Sequence, residues 1–322
     1  SKFEIFSEKA HEELQKICTA NIKNEIGKCT YTQMLNRDGG IETDLTVICL
    51  DKNYFRLISS AATRERDKFH IKKYLSKDIE VKDITDHYCV FGLFGPKSRN
   101  LIQSLSNHDF KNNNFKFATG KYIMIEGIKI WIQRLSYVGE LGYELYVEFK
   151  YAKRIYNLII ESGKNFELSN CGMHAMDIMR MESGFLHWGH DISPEENQYE
   201  ANLNFSISFK KNFDFIGKES LLKMKDKKQK KRLILLCLKK SKPGEPLMLH
   251  DEPIYLDNKI IGVTTSGNYS FNFNKNLSFG YIKSDHSNSE LSKKNLFIEI
   301  EKIKYPAEVL LNPLKQTDFK KI

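Results

Sequence analysis

Residues 31–60 read YTQMLNRDGGIETDLTVICLDKNYFRLISS. Apolar and polar residues alternate along this stretch, and turn-forming residues interrupt it at Asp38-Gly39-Gly40 and again around Asn53. Alternation broken by short turns of this composition predicts antiparallel strands joined as hairpins. The stretch therefore predicts strand, turn, strand, short turn and strand.

The same rhythm continues on both sides of this stretch. KFEIF (2–6) predicts a strand, and a helix with Ser7 as its N-cap follows it. A hairpin is predicted over KYIMIEGIKIWIQRL, with Gly127 near its turn. Apolar residues at helical spacing predict further helices in four segments: 61–75, 98–105, 151–164 and 172–186. Strands alternating with helices in this way indicate an α+β fold built from antiparallel modules.

The predicted secondary structure changes near residue 230. Short β segments such as RLILLCL, EPIYLDNKIIGVTTSG and LFIEIEKIKYPAEVLL follow, separated by turn residues at intervals typical of a small barrel or sandwich. We therefore predict two domains, one spanning 1–230 and the other 231–322.

Composition limits the functional classes. The 322 residues are 41% hydrophobic and contain no run approaching the ~18 apolar residues that span a bilayer. The six cysteines form no CxxC pair, which is typical of reduced thiols and predicts a cytoplasmic location with no metal site of that kind. The net charge is +9, but the basic run at 223–232 has no interleaved aromatic residues, so we predict neither a nucleic-acid nor a membrane partner.

Several common catalytic motifs are missing from the sequence. Neither G-x-G-x-x-G opening a helix nor G-x-x-x-x-G-K-[ST] occurs, and no G-x-S-x-G elbow is present. His187, His190 and Asp191 form a cluster, but they follow a glycine-broken helix and lack the spacing of a zinc site. We therefore predict no metal centre.

Three stretches combine carboxylates, aromatic residues and glycines. In LNRDGGIETDL, Glu42 and Asp44 lie two residues apart and so share one face of a strand. In YVGELGYEL two glycines bracket Glu140, and Tyr137 and Tyr143 flank it. RMESGFLHWG places Glu182 at the end of an apolar helix and Trp188 just after it. Carboxylates that accept paired N–H bonds, with aromatic residues for stacking, suit a flat heterocycle such as a pterin; ordinary structural roles are the alternative.

These stretches resemble, over almost the whole chain, the folate-dependent aminomethyltransferase family, which includes the glycine cleavage T-protein. The matching motifs are YTQMLNRDGGIETDLTV, YVGELGYELYV, GMHAMDIMRMESGFLHWGHDISPEENQYEANL, NFDFIGKESL and the TTSG and LSFGYI segments. HWGHD, SKFEIF and EPIY look most like the folate half of dimethylglycine and sarcosine dehydrogenases. The resemblance implies a cloverleaf of antiparallel α/β modules with a small C-terminal β-barrel.

The resemblance also implies tetrahydrofolate as the cofactor, with no flavin site visible in this chain. It implies that Asp44 is the catalytic base and that Glu182 holds the pterin edge. The other implied pocket residues are Trp188, Tyr31, Tyr137, Glu140 and Tyr143. Two departures stand out. Thr43 occupies the place of the aspartate that is catalytic in the glycine-cleavage enzymes, and the family's segment before SKFEIF is missing, as in a fragment, a subunit of a larger complex or a shortened variant.

The expected activity is one-carbon transfer to tetrahydrofolate from an N-methyl or aminomethyl donor, with a flavin dehydrogenase subunit or a lipoyl carrier protein as partner. Two alternatives stay open at the sequence level. One is a non-enzymatic folate-binding scaffold, although the K-G-C-Y-x-G-Q-E signature of such relatives is absent. The other is a tetrahydrofolate-dependent demethylase of a sulfonium compound.

Overall fold

The computed structural model describes residues 1–315 and 318–320. Fifteen strands in this part of the chain form two open sheets and one closed barrel, as the resemblance predicted. The strands of all three sheets pair antiparallel, and hairpins join several neighbours directly, such as β3 with β4 and β7 with β8.

The first sheet has the strand order β2-β3-β4-β1-β5. Its elements in chain order are β1 (Lys2–Phe6), α1 (Ala10–Ile17), β2 (Cys29–Leu35), β3 (Ile41–Asp51), β4 (Tyr54–Ser59), α2 (Arg64–Tyr74) and β5 (Val81–Asp83). Apolar residues of the strands and of both helices form one buried cluster, so α1 and α2 cover a face of the sheet. The predicted turn between β2 and β3 is confirmed: the Asn36 side chain accepts the backbone N–H of Asp38 and of Gly40, and Gly39 has φ +91°.

The second sheet has the order β6-β9-β8-β7. Its elements are β6 (Tyr88–Phe94), α3 (Ser98–Ser104), β7 (Gly120–Ile125), β8 (Ile128–Gln133), β9 (Gly142–Glu148) and α4 (Ala152–Gly163). Helix α4 is amphipathic and buries Ile155 and Ile159 against the sheet. A small apolar cluster that includes Ile48 and Trp131 joins the two sheets.

The chain then forms α5 (Met173–Glu182), a long irregular loop and α6 (Lys218–Lys225) before it enters the barrel. The barrel elements are β10 (Arg232–Leu238), β11 (Pro253–Leu256), β12 (Lys259–Ser270), β13 (Lys275–Ile282), α7 (Asn288–Leu291), β14 (Leu296–Ile300) and β15 (Ile303–Leu310). Strand β10 pairs with both β13 and β15, which closes the barrel. The barrel thus begins close to the proposed boundary at residue 230; the division into domains 1–230 and 231–322 stays a prediction.

Two element boundaries differ from expectation: α5 ends at Glu182 and not at 186, and the first helix starts later than predicted. Helix α1 starts at Ala10 with Lys9 as its N-cap, and no side chain caps it. Ser7 lies one turn earlier, where its hydroxyl accepts the N–H of Lys9 at 3.3 Å and its carbonyl accepts that of Ala10 at 2.9 Å. The prediction of Ser7 as N-cap was therefore wrong by two residues, because serine organises the turn before the helix as readily as its first residue.

Helix α5 packs on the outside of the barrel. Its residues Ile178 and Met181 share a buried apolar cluster with Leu235 of β10 and Phe279 of β13. This contact places the C-terminal end of α5, with Glu182, against the barrel wall.

Candidate functional site

Asp44 lies on β3 directly opposite Gln33 on β2. The alternation of β3 buries Ile41, Thr43 and Leu45, so the side chains of Glu42 and Asp44 share the other face, as predicted. Gln33 Nε2 donates a hydrogen bond of 2.7 Å to Asp44 Oδ1. Asp44 is therefore a half-buried carboxylate that is held by a hydrogen bond from the neighbouring strand.

Burial raises the pKa of the Asp44 carboxyl to about 6, although hydrogen bonds from Gln33 and Tyr31 oppose this rise. The nearby Asp67 carboxylate raises it further. Burial and the charge of Asp44 in turn raise the pKa of Tyr31 well above its usual value, so this phenol keeps its proton. A carboxylate with a pKa close to neutrality is suited to take up a proton during a reaction.

Thr43 faces the opposite side of the strand. It is buried, and its hydroxyl donates at 3.1 Å to Asp67 of α2, whose carboxylate also accepts from Ser59 and Thr63 at 2.6 Å. Because adjacent strand residues point in opposite directions, Thr43 and Asp44 cannot serve the same site. Asp44 is thus the member of the pair that shares a face with Tyr31 and Gln33.

Two aromatic pairs lie near Asp44. Tyr31 is 39% exposed and stacks on Phe205, which is 74% exposed, with ring centroids 6.3 Å apart. Tyr137 stacks on Phe185 at the same separation and donates a 2.9 Å hydrogen bond to the carbonyl of Leu186. Burial raises the pKa of Tyr137, and the Asp44 carboxylate adds to that rise. The structure therefore brings Asp44, Tyr31 and Tyr137 into one neighbourhood.

Glu182 is fully buried where α5 ends against the barrel. Its Oε1 accepts from Ser270 Oγ at 2.6 Å, and its Oε2 accepts from Asn272 Nδ2 at 2.9 Å. A carboxylate has about four acceptor positions, so these two bonds leave lone pairs for a ligand. Asn272 lies on the exposed turn between β12 and β13, so this turn forms part of the enclosure around Glu182.

Glu140 lies close to the end of α5. Lys315 joins the two, because its ammonium pairs with the Glu140 carboxylate and its N–H donates at 2.9 Å to the carbonyl of Glu182. The predicted close backbone approach is present at Gly139, where a Cβ would lie 1.9 Å from Ser183 Oγ and φ is +68°. The glycine is required here by both space and conformation.

Trp188 covers the start of β3. Its indole N–H donates at 3.2 Å to the carbonyl of Ile41, and the guanidinium of Arg66 lies 4.8 Å from the ring centroid. Arg66 is itself paired with Glu42. One face of the indole is thus occupied by a cation–π contact, which leaves at most the other face for stacking on a ligand.

Tyr143 lies apart from the other predicted residues. Its side chain is fully buried in the core of the second sheet, where its ring meets Phe110 and Phe115 edge-on and its hydroxyl accepts from Arg99 at 3.3 Å. A residue enclosed in this way has no open face toward the Asp44 neighbourhood. Tyr143 is therefore not part of the site that we propose below.

The cluster around His187 has a structural explanation. The Asp191 carboxylate is fully buried and accepts from Arg180, from Thr265 and Ser266 of β12, and from the His187 backbone at 3.0 Å. Burial and neighbouring His190 lower the pKa of His187. Across residues 1–315 and 318–320 no group of three or more His, Cys, Asp or Glu side chains is placed to hold a metal ion.

Sequence reasoning missed the polar residues that support the predicted ones. Gln33 and Gln198 are fully buried and hydrogen-bonded to each other, although 165 residues separate them. Ser270 and Asn272 approach Glu182 from the barrel. The alternation of β2 places Gln33 on the same face as Tyr31 and on the opposite face from Thr32. Only the pairing register shows that Gln33 lies opposite Asp44.

Comparison with known proteins gives this geometry a context. The family model described as the GCVT N-terminal domain matches residues 1–211, and the glycine cleavage T-protein C-terminal barrel domain matches residues 231–315. The chain belongs to the glycine cleavage T-protein family. This confirms the resemblance drawn from the sequence.

Two relatives of this T-protein family member show how far the likeness extends. Human "Dimethylglycine dehydrogenase, mitochondrial" is 32% identical over 304 residues, which cover 93% of this chain and 34% of that protein. "Aminomethyltransferase" of Halothermothrix orenii is 33% identical over 278 residues, which cover 86% of this chain and 76% of that protein. The chain thus spans about a third of the dehydrogenase and three quarters of the aminomethyltransferase.

The fold agrees with a solved T-protein. The crystal structure of the glycine cleavage system aminomethyltransferase T from Bartonella henselae superposes with a TM-score of 0.83 at 20% identity, covering 97% of this chain and 83% of that one. The predicted α+β cloverleaf with a C-terminal barrel is confirmed. Among the described residues of this chain, no helix has the length and apolar composition needed to cross a membrane.

The donor set fits the folate on which this family depends. A half-buried carboxylate with a pKa of about 6 lies beside protonated tyrosines, and a second buried carboxylate has free lone pairs behind a surface turn. Carboxylates match the donor-rich edge of a pterin, and aromatic rings match its faces. These residue types have the chemistry that binding a flat heterocycle of this kind requires.

Proposed function

We propose that the chain is a tetrahydrofolate-dependent one-carbon transferase that forms methylene-tetrahydrofolate from an N-methyl or aminomethyl donor. The observation that supports it most directly is Asp44: a carboxylate oriented by Gln33, adjacent to Tyr31, with a pKa of about 6, in a chain of the T-protein family. The pKa of an effective general base lies near the working pH, and that of Asp44 does.

Each remaining residue has a role that follows from its contacts. Tetrahydrofolate, when bound, supplies the nitrogen that takes up the one-carbon unit. Asp44 is ionised at pH 7 and accepts the proton released from that nitrogen, while Glu182 holds the donor-rich edge and exchanges its Asn272 hydrogen bond for one from the ligand. Tyr31 and Tyr137 supply aromatic surface. Glu140 and Trp188 shape the surroundings through Lys315 and Arg66.

The one-carbon donor reaches the site from a second protein in this proposal. The likeness to a protein named dimethylglycine dehydrogenase supports a flavin dehydrogenase as partner. The aminomethyltransferase relative supports a lipoyl carrier instead. We expect the reaction to take place in the cytoplasm, where the six free cysteines of the described residues would stay reduced.

Tetrahydrofolate titration followed by a methylene-tetrahydrofolate assay tests the proposal. The assay is run separately with each donor: dimethylglycine with a flavin dehydrogenase, sarcosine with a flavin dehydrogenase, and an aminomethyl-lipoyl donor. Asp44→Asn should bind tetrahydrofolate normally but transfer about 10²-fold more slowly or worse, as expected for loss of a general base. Normal turnover by Asp44→Asn would refute its role.

Glu182 requires a conservative variant because it is buried. Glu182→Gln should abolish detectable tetrahydrofolate binding, while the matched variant Glu200→Gln, also at a buried glutamate, should bind normally. Tetrahydrofolate binding without turnover on any donor would favour the scaffold function, and turnover only with a sulfonium compound would favour the demethylase. Absence of binding by the wild type would refute a folate function altogether.

A further inference from the structure

We propose that Gln33 is a positioning residue for Asp44, and that Gln198 and Ser206 fix the direction of its side-chain amide. This inference rests on the proposed function, since it concerns the same base. It adds a residue that neither the motifs nor the family resemblance singled out.

Gln33 and Asp44 are cross-strand partners on β2 and β3. Side chains opposite each other in an antiparallel pair have Cβ atoms about 5 Å apart, so the side-chain amide of a glutamine can reach the carboxylate of an aspartate opposite it. Gln33 is fully buried, and its Nε2 lies 2.7 Å from Asp44 Oδ1. The bond therefore holds one carboxylate oxygen, and Tyr31 supplies a second hydrogen bond to the same carboxylate.

The orientation of the Gln33 amide is determined by its second set of contacts. Its Oε1 lies 2.7 Å from Gln198 Nε2 and 2.5 Å from Ser206 Oγ. An ionised carboxylate accepts hydrogen bonds only, so the NH2 group must face Asp44 and the oxygen must face the two donors. If the Gln33 amide were rotated by 180°, its oxygen would face Asp44 Oδ1, and two acceptors would lie against each other.

This network connects Asp44 to distant parts of the chain. Gln198 is also fully buried, and its Nε2 lies 3.2 Å from Thr19 Oγ1 at the end of α1 and 2.9 Å from Ser206 Oγ. Phe205, the neighbour of Ser206, stacks on Tyr31. The loop after α5 thus carries both the groups that orient the base and a ring at the same site.

The electrostatic surroundings show what the Gln33 bond does. The titratable groups that act on Asp44 are Tyr31 from β2, Tyr137 from the loop before β9 and, from the other side of β3, Asp67 of α2. Burial and Asp67 favour the protonated carboxyl, whereas Gln33 favours the ionised one. Removing this donor should therefore raise the pKa of Asp44 and allow its carboxylate to rotate.

Two variants separate positioning from folding. Gln33→Met removes the amide at nearly constant volume. Gln33→Glu keeps an oxygen toward Gln198 and Ser206 but replaces the donor to Asp44 with a second acceptor. In both, the acid limb of the kcat/KM profile should move up by about one pH unit or more. At pH 7, kcat should fall at least about tenfold while KM for tetrahydrofolate changes less than about threefold.

A measurement without turnover keeps this inference distinct from the proposed function. The free energy of unfolding is measured against pH for the wild type, Gln33→Met and Gln33→Glu, each with and without Asp44→Asn. The pH at which the difference between the two members of a pair changes reports the pKa of Asp44 in the folded chain. This midpoint should move upward in Gln33→Met and Gln33→Glu even if no donor supports turnover. An unchanged midpoint would overturn the inference. A shifted midpoint in a protein without transferase activity would leave the positioning role standing and refute only the function.

Discussion

At the residue scale, the environment of Asp44 links chemistry to stability. Its pKa in the folded protein, about 6, lies above the ordinary aspartate value of 3.8. Folding therefore favours the protonated form, and this stabilising contribution is complete below pH ~3.8 and lost as the pH rises through ~6. At neutral pH the protein thus keeps an ionised group at a cost to its stability, a pattern common at catalytic sites.

Asp44→Asn should consequently be more stable than the wild type at pH 8, by about 1–3 kcal/mol, because about two pKa units correspond to roughly 3 kcal/mol before solvent screening. The advantage should disappear near pH 4. Urea unfolding at both pH values measures it, with the exposed Asp226→Asn as control. A difference that does not depend on pH would show that the carboxylate is not destabilising.

The sequence predicted single residues where a local pattern decides their position. Alternation placed Glu42 and Asp44 on one face of β3, and the structure agrees. The same rule, applied to β9, places Tyr143 with Leu145 and Val147 on the core face. The glycines near Tyr143 led instead to the prediction of a ligand role. Gln33 could not be identified, since its partner is set by pairing register and not by spacing along the chain.

At the element scale, the turn between β12 and β13 lies against Glu182. Asn272 on this turn donates to the Glu182 carboxylate, and the neighbouring Phe271 is 72% exposed. An amide N–H that occupies a carboxylate lone pair competes with any ligand that needs the same position. The sequence indicated a turn here but not that it reaches the end of α5, because that contact spans 90 residues.

Asn272→Ala should therefore strengthen tetrahydrofolate binding about fivefold, since one hydrogen bond of about 1 kcal/mol no longer has to be displaced. Calorimetric titration measures the change. Phe271 on the same turn packs edge-on against the Tyr269 ring, so Phe271→Ala serves as the matched control. Weaker binding by Asn272→Ala would mean that the amide contacts the ligand directly.

At the scale of the whole molecule, an ion pair joins α5, the loop after it and the barrel. Arg180 and Asp191 are both buried, and Arg180 also donates to the carbonyl of Phe185 at 3.0 Å and to Ser266 Oγ at 2.8 Å. Sequence patterns predicted α5 and the barrel separately. Their docking could not be predicted, because it depends on polar groups more than 70 residues apart that satisfy each other only in the folded chain.

Breaking this pair should destabilise the entire assembly. Asp191→Ala removes the buried carboxylate from Arg180 and leaves it the partly exposed Asp177 carboxylate at 2.9 Å. Removing one partner of a buried ion pair costs about 3–5 kcal/mol, and because Asp177 remains we expect the lower end of this range. The double variant Arg180→Met with Asp191→Ala removes both charges and should recover part of that loss. Chemical unfolding of the wild type, of each single variant (Arg180→Met and Asp191→Ala) and of the double variant gives the coupling energy. Because Glu182 lies two residues beyond Arg180, loosening α5 from the barrel should also weaken tetrahydrofolate binding in Asp191→Ala. If Asp191→Ala lost stability but bound tetrahydrofolate as tightly as the wild type, the position of Glu182 would not depend on this docking.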